Sequence, residues 1–196
     1  MDSLNKELLL KYHKIYIDFE DYDEIYKLYK PKFKKFENID EVTSEDIGEI
    51  AIGFANAWHS RTKNSTEICE SVLLKLKEIK SLLYDLRQKN LCNIDLDARE
   101  DSILKLYDCF KDVKPTAVAK ILYMLADNLF PIWDEAIRES YGILGNGKGY
   151  FCFMVITQKQ LMKLGDKAIK EIEEKVGYPI LKVIDEYNWC INNRST

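Results

Sequence analysis

Asp134 stands where a side chain could do chemistry. It ends the run Pro131-Ile132-Trp133-Asp134, a lone carboxylate beside a proline and a tryptophan, with Arg138 one helical turn further on. Proline suits the first turn of a helix, so the run predicts a helix opening at Pro131 with Asp134 in its first turn. The partial positive charge at a helix N-terminus favours a carboxylate there as an anion. Such an anion can stabilise a developing cation or position an attacking group. The same placement also serves plain helix-terminus stabilisation, and the residue types leave both readings open.

Three further clusters carry reactive or charged side chains. Trp58-His59-Ser60-Arg61 closes a predicted helix, and His59 with Arg61 could meet an anion or a nucleobase. A histidine at a helix end also serves as a dipole partner. Gly145-Asn146-Gly147-Lys148-Gly149 lacks the spacing of a phosphate-binding loop and predicts a flexible turn, or a lid beside Asp134. Lys32, Lys34 and Lys35 interleave with Phe33 and Phe36, a pattern that fits phosphate contact or a solvated face over inward aromatics. No nucleophile-elbow pattern accompanies Ser60.

The elements that must position these residues are helical. Residues 3–15 and 21–30 predict two helices, the second stopped by Pro31. Thr43-Ser44-Glu45-Asp46 starts a third, with Ile47, Ile50, Ala51, Phe54 and Trp58 as its apolar face. Ile68, Val72, Leu76, Ile79, Leu83 and Leu86 form one stripe, predicting a single helix to about Lys89. Asp97 with Glu100 reads as a capping pair for a helix through Phe110. Pro115 opens a helix bearing Val118, Ile121, Leu122 and Leu125, followed by an apolar bridge at Leu129 and Phe130. Helices are also expected over 150–164, 166–176 and 179–192. Only 8 glycines and 4 prolines occur, and alternating strand patterns are nearly absent. The prediction is an all-α, multi-helix single domain over residues 1–196, with room for a cleft between two helical lobes.

Composition bounds the function. Apolar residues make up 46% and charged residues 32%, the mix of a soluble globular chain. The net charge of −4 gives no global field for nucleic acid or anionic membrane, so DNA binding would need a local basic patch. No apolar run reaches the roughly 20 residues of a membrane span. The five cysteines form no close pair, which argues against structural zinc. Their odd number and the lack of a leader pattern point to a reducing, cytoplasmic setting, with each thiol a small buried hydrophobe.

Over residues 110–142 the chain resembles the helix-hairpin-helix DNA glycosylase superfamily. That family has a hairpin of form Leu-Pro-Gly-Val-Gly-x-Lys-Thr-Ala, a helix, an apolar bridge, and a Val-Asp-x-His-Val-x-Arg segment. Asp134 falls on its catalytic aspartate and Ile137 on the following valine, and Arg138 lies next to the position of the arginine. Val113 falls on the hairpin valine. The two hairpin glycines fall on Asp112 and Lys114, and the Schiff-base lysine of the bifunctional members falls on Thr116. A charge at Lys114 would thus replace backbone amide donors to a phosphate. Lys120, four residues on from Thr116, could replace the amine, since a desolvated lysine becomes a nucleophile.

The resemblance implies base excision from duplex or damaged DNA, or a non-catalytic DNA-binding relative. It implies Asp134 and Lys120 as catalytic residues. Lys114, Arg138, Lys148, His59 and Arg61 would meet DNA, and Trp133, Tyr141, Tyr150 and Phe153 would hold the flipped base. No metal or cofactor is implied. A helical protein-interaction module without catalysis is the alternative.

Overall fold

A computed structural model describes residues 4–18 and 22–193 of the chain. Among the described residues there are twelve α-helices and no β-strand. The expected helix starts at residues 3 and 21 lie outside the described residues. α1 (Lys6–Ile17) is capped by the Asn5 side chain, which accepts from the Leu8 amide at 2.9 Å. α2 (Tyr22–Tyr29) ends before Pro31. A 3₁₀ segment, Lys32–Glu37, then turns Phe33 and Phe36 into the core, leaving its lysines outside.

Thr43 and Asp46 form a capping box at α3 (Ser44–Asp46). The helix continues as a π segment, Ile47–Ile52, and as α4 (Gly53–Ala57). The predicted long helix after Thr66 is broken. α5 (Thr66–Glu78) and α6 (Lys80–Arg87) meet at Ile79, whose backbone leaves helical values at φ −111°, ψ 19°. The break lets Leu76 on one side and Leu83 and Leu86 on the other all reach full burial. Asp97 and Glu100 do not form the predicted capping pair. Asp95 accepts from the Ala98 amide at 3.1 Å, and a 3₁₀ turn at Asp97–Arg99 leads into α7 (Glu100–Asp108).

α8 (Pro115–Leu125) and α9 (Glu135–Ser140) flank the apolar bridge. α10 (Gly147–Leu164) starts before residue 150, because Asn146 caps it by accepting from the Gly149 amide at 2.9 Å. The predicted flexible turn over Gly145–Gly149 is therefore partly the first turn of a helix. α11 (Asp166–Val176) and α12 (Ile180–Asn193) complete the chain.

Two helices are buried on all sides. Every residue of α8 from Ala117 to Leu125 is buried, and so is every residue of α12 from Ile180 to Asn188. α8 packs on α4, whereas α12 packs on α1 and α9. One contiguous apolar core joins residues from Leu9 to Tyr187, the arrangement of a single helical domain. Among the described residues no helix is long and apolar enough to cross a membrane. Cys69, Cys109 and Cys190 are buried as expected, but Cys152 is exposed and Cys92 half-buried.

Candidate functional site

The bridge between α8 and α9 is irregular, and three anchors hold it. The Trp133 indole donates to the Pro115 carbonyl at 3.1 Å, tying the end of the bridge to the start of α8. The Tyr150 hydroxyl donates to the Pro131 carbonyl at 2.7 Å. Phe130, Ile132 and Trp133 are fully packed. Residues 131–133 are not helical, so Pro131 does not open the helix. Asp134 is instead the N-cap of α9, in extended backbone (φ −117°, ψ −172°), and its carboxylate accepts from the Ile137 amide at 2.8 Å. That bond engages one oxygen, and the side chain as a whole remains half-exposed.

Asp134 lines an open cleft of about 590 Å³. The start of α9 gives Asp134, Glu135, Ala136 and Glu139 to one wall, and the start of α8 gives Lys114 and Thr116 to the next. The loop His59-Ser60-Arg61 closes the third side. Its backbone follows from how α4 ends. The His59 amide donates to the Asn56 carbonyl at 2.9 Å, and the Ser60 amide to the Ala55 carbonyl at 2.9 Å. This is the Schellman arrangement, with His59 at the left-handed position that glycine usually fills. His59 has φ 60° and Arg61 has φ 49°. Left-handed residues other than glycine cost on the order of 1–2 kcal/mol each.

A side-chain clamp holds the strain. The Asn56 amide group donates to the Thr62 carbonyl at 3.0 Å and accepts from the Thr62 amide at 2.7 Å. Thr62 Oγ1 in turn accepts from the Lys114 amide at 3.1 Å, fixing the loop to the start of α8. Between the two strained residues Ser60 is buried, and its hydroxyl has no hydrogen-bond partner among the described residues.

Lys120 lies one turn deeper than Thr116 on α8, and helical side chains lean toward the N-terminus, here toward the cleft. It is only 8% exposed. Its ammonium donates to the Trp58 carbonyl, the residue just before the strained loop, and lies 5.2 Å from the centroid of the Trp58 ring. Burial pushes the amine down to about 8, while the negative charges of Asp185 and Asp134 pull it partly back.

α12 carries the groups facing Lys120 from below. Asp185 is buried, and that burial pushes its carboxyl up to about 7; Lys182 and Lys120 oppose the rise, whereas Asp134 and Glu186 add to it. Lys182 and Glu186 are both fully buried and paired at 2.6 Å, and His13 Nδ1 lies 2.6 Å from the other Glu186 oxygen. The Lys182 ammonium sits 4.9 Å from the Tyr16 ring, 5.1 Å from Tyr178 and 5.9 Å from Trp58. Among the described residues no group of three histidine, cysteine, aspartate or glutamate side chains is placed to hold a metal ion.

The residues expected to serve the site thus separate into three places. Asp134, Lys114, His59 and Arg61 share the cleft, whereas Lys120 does not line it and is held by the Trp58 carbonyl. Trp133, Tyr150 and Phe153 are closed core, not cavity wall: Trp133 and Tyr150 meet edge-to-face at 5.0 Å, and Trp133 and Phe153 lie 5.7 Å apart. Tyr141 joins them at the edge, with its hydroxyl donating to Asn188 at 3.2 Å. Arg138 turns away from the cleft, 5.8 Å from the Trp133 ring and against Gly145. A Cβ on Gly145 would come within 2.6 Å of that guanidinium, which would have to shift to admit it. Lys148 is exposed on the first turn of α10 and does not line the cleft.

Sequence reasoning missed Asn56, Thr62 and the α12 charges. Lys182, Asp185 and Glu186 could have been noticed, because Ile180, Leu181, Val183, Ile184 and Tyr187 surround them on every face of the helix. The Asn56 clamp leaves no such trace. No protein-family model matches the chain, and no curated protein or solved structure matches it at significance.

Proposed function

We propose that the chain is a DNA base-excision enzyme of the glycosylase type, with Lys120 as amine nucleophile and Asp134 as the carboxylate facing the sugar. The observation that carries this reading is the buried Lys120 amine, lowered toward neutrality and bonded to the Trp58 carbonyl, the residue before the loop that shares a cleft with Asp134. In its neutral form the amine would attack C1′ of a deoxynucleotide. The N–C bond forms as the glycosidic bond breaks, and the base leaves with the bonding electrons. The Asp134 anion would stabilise the positive charge that develops on the sugar. The extruded base would enter the cleft over Ser60, because Trp133, Tyr150 and Phe153 are closed against one another.

Borohydride trapping on duplexes carrying abasic sites or oxidised, alkylated or deaminated bases tests the reading. Wild type should give a covalent adduct. Lys120→Gln should give none, and Asp134→Asn should trap on the order of 10²-fold more slowly. If wild type gives neither an adduct nor base release on any duplex, the excision reading is lost.

One observation favours a non-catalytic protein-interaction module instead. The cleft mixes Lys114 and Arg61 with Asp134, Glu135 and Glu139, so its walls form no continuous cationic track. A salt titration of duplex binding separates the two. Excision requires binding that weakens with salt, whereas the module requires no duplex binding at all.

A further inference from the structure

A second cavity, of about 510 Å³, lies between α2, the 3₁₀ segment Lys32–Glu37, α6 and the end of α8, and it shares no residue with the Asp134 cleft. Its floor is apolar, since Phe33, Met124, Leu125 and Ala126 are buried. Its walls carry charge. Lys30, just past α2, pairs with Asp127, just past α8. In a 3₁₀ segment side chains three apart share a face, and this sorts the interleaved lysines and phenylalanines. Phe33 and Phe36 turn inward together, while Lys34 and Glu37 both line the cavity. The Lys32 ammonium lies 4.7 Å from the centroid of the Tyr29 ring, and Lys35 pairs with Asp46 at 2.6 Å. Lys34 alone of the three lysines has no partner among the described residues.

The other cation without a counter-charge is Arg87, in the last turn of α6. Its Nε donates to the Leu125 carbonyl at 2.9 Å and its Nη1 to the Phe36 carbonyl at 2.5 Å, which fixes the guanidinium in the cavity wall. Among the described residues Nη2 has no acceptor, and no carboxylate comes within ion-pair distance of the group. Burial disfavours its charge, and Glu37 opposes that only from beyond ion-pair distance. A guanidinium withdrawn from water ordinarily finds an anion. The carbonyls of Leu125 and Ala126 at the end of α8 are engaged, the first by Arg87 and the second by the Leu129 and Phe130 amides.

We propose that this cavity binds a phosphate monoester, with Arg87 and Lys34 on the phosphoryl oxygens and the organic body over Phe33 and Met124. Two cations without counter-charges match the charge of about −1.5 to −2 that a monoester carries near neutral pH. Arg87 offers a fixed planar edge, and Lys34 a point charge on a flexible stem. The volume falls in the range of about 300–1,000 Å³ usual for small-molecule sites, so a body of mononucleotide size fits. Glu37, exposed beside Lys34, repels the bound dianion and holds the affinity down. No covalent bond is made or broken. The site stands apart from the excision reading and does not depend on it.

Amide ¹H–¹⁵N spectra of the whole chain, titrated with deoxyadenosine monophosphate, inorganic phosphate and deoxyadenosine, test the proposal. The monophosphate should move the amides of residues 30–37, 84–88 and 124–127, with a Kd of about 1 mM or lower. Inorganic phosphate should move the same amides more weakly, and deoxyadenosine should bind at least about tenfold more weakly than the monophosphate. Arg87→Lys should weaken monophosphate binding about tenfold, because a lysine cannot reproduce the planar edge. Lys34 and Glu37 are exposed, so their variants keep the test available if Arg87→Lys does not fold. Lys34→Gln should weaken binding about threefold, and Glu37→Gln should tighten it by a similar factor. Equal affinity in Lys34→Gln and Glu37→Gln would overturn the site. So would shifts confined to residues 59–61 and 114–116, or no shift with any of the three compounds at about 5 mM.

Discussion

Two buried regions meet behind Asp134, and they are built on opposite principles. On one side Trp133, Tyr150 and Phe153 fill space with aromatic rings, and their polar atoms are turned to backbone carbonyls. On the other, Lys120, Lys182, Asp185 and Glu186 occupy comparable depth in α8 and α12 as charged or chargeable groups. The first region gains roughly 1.5–3 kcal/mol for each large apolar side chain removed from water. The second must offset a desolvation cost of several kcal/mol per ion, and an apolar replacement of similar volume is often as stable or more so. Stability alone accounts for the aromatic side and leaves the charged side unexplained, so the charged side is where chemistry is sought.

Removing one member from each region should give the largest effects. Trp133→Ala should lower unfolding free energy by about 4 kcal/mol, through the cavity and the Pro115 carbonyl left without its donor. Glu186→Gln should cost about 3 kcal/mol by leaving the Lys182 ammonium buried against a neutral partner. The regions part in the paired replacement. Lys182→Met with Glu186→Leu should restore most of that loss, whereas no single apolar residue restores Trp133→Ala. Denaturant titration measures all three. If the double replacement is as damaged as Glu186→Gln, the charged region is structural after all.

Residue types carried the burial of the aromatic region, though not the closure of the base pocket expected of Trp133, Tyr150 and Phe153, and they carried the charged region poorly, for a physical reason. Trp133, Phe130 and Leu129 declare themselves by type, because large apolar side chains have one favoured environment. Asp134 was legible as a helix-start carboxylate, although the anchored bridge made it the cap and not a first-turn residue. Lys182, Asp185 and Glu186 belong to residue types that are usually solvated, so in the sequence only the apolar residues on every face around them signal their burial. The Ile79 break and the Asn56 clamp depend on the fit between distant segments. Neither leaves a local pattern.

The charged region also predicts how stability depends on pH. Asp185 is raised in the fold, from an ordinary value of 3.8 to about 7. Between those limits the folded chain binds more protons than the unfolded one, so stability falls as pH rises through the window. Lys120 is depressed from 10.5 to about 8. Between those limits the unfolded chain binds more protons, so stability recovers as pH rises. Together the two groups place a shallow minimum between about pH 7 and 8, on the order of a few kcal/mol deep at most. Denaturant midpoints from pH 4 to 10 should show it. Asp185→Asn should flatten the acid side, and Lys120→Gln the alkaline side. The aromatic variant Trp133→Phe should shift the whole curve without changing its shape, and a changed shape there would dissolve the distinction between the regions.

The smallest expected effect lies in the loop above the charged region. Arg61 holds a left-handed backbone that glycine would adopt without penalty. The Asn56–Thr62 clamp over-determines that backbone, so the strain persists in the native state. Arg61→Gly should therefore raise stability by about 0.5–1 kcal/mol, the strain relieved less the added freedom of the unfolded chain. Asn56→Ala should act in the opposite sense and let residues 59–61 leave the left-handed region, seen as changed backbone chemical shifts. If the Arg61 guanidinium meets DNA from the cleft, Arg61→Gly should gain stability while losing duplex binding. Stability gained with unchanged binding would make the loop a tolerated irregularity and leave Asp134 and Lys120 as the only functional asymmetry between the two regions.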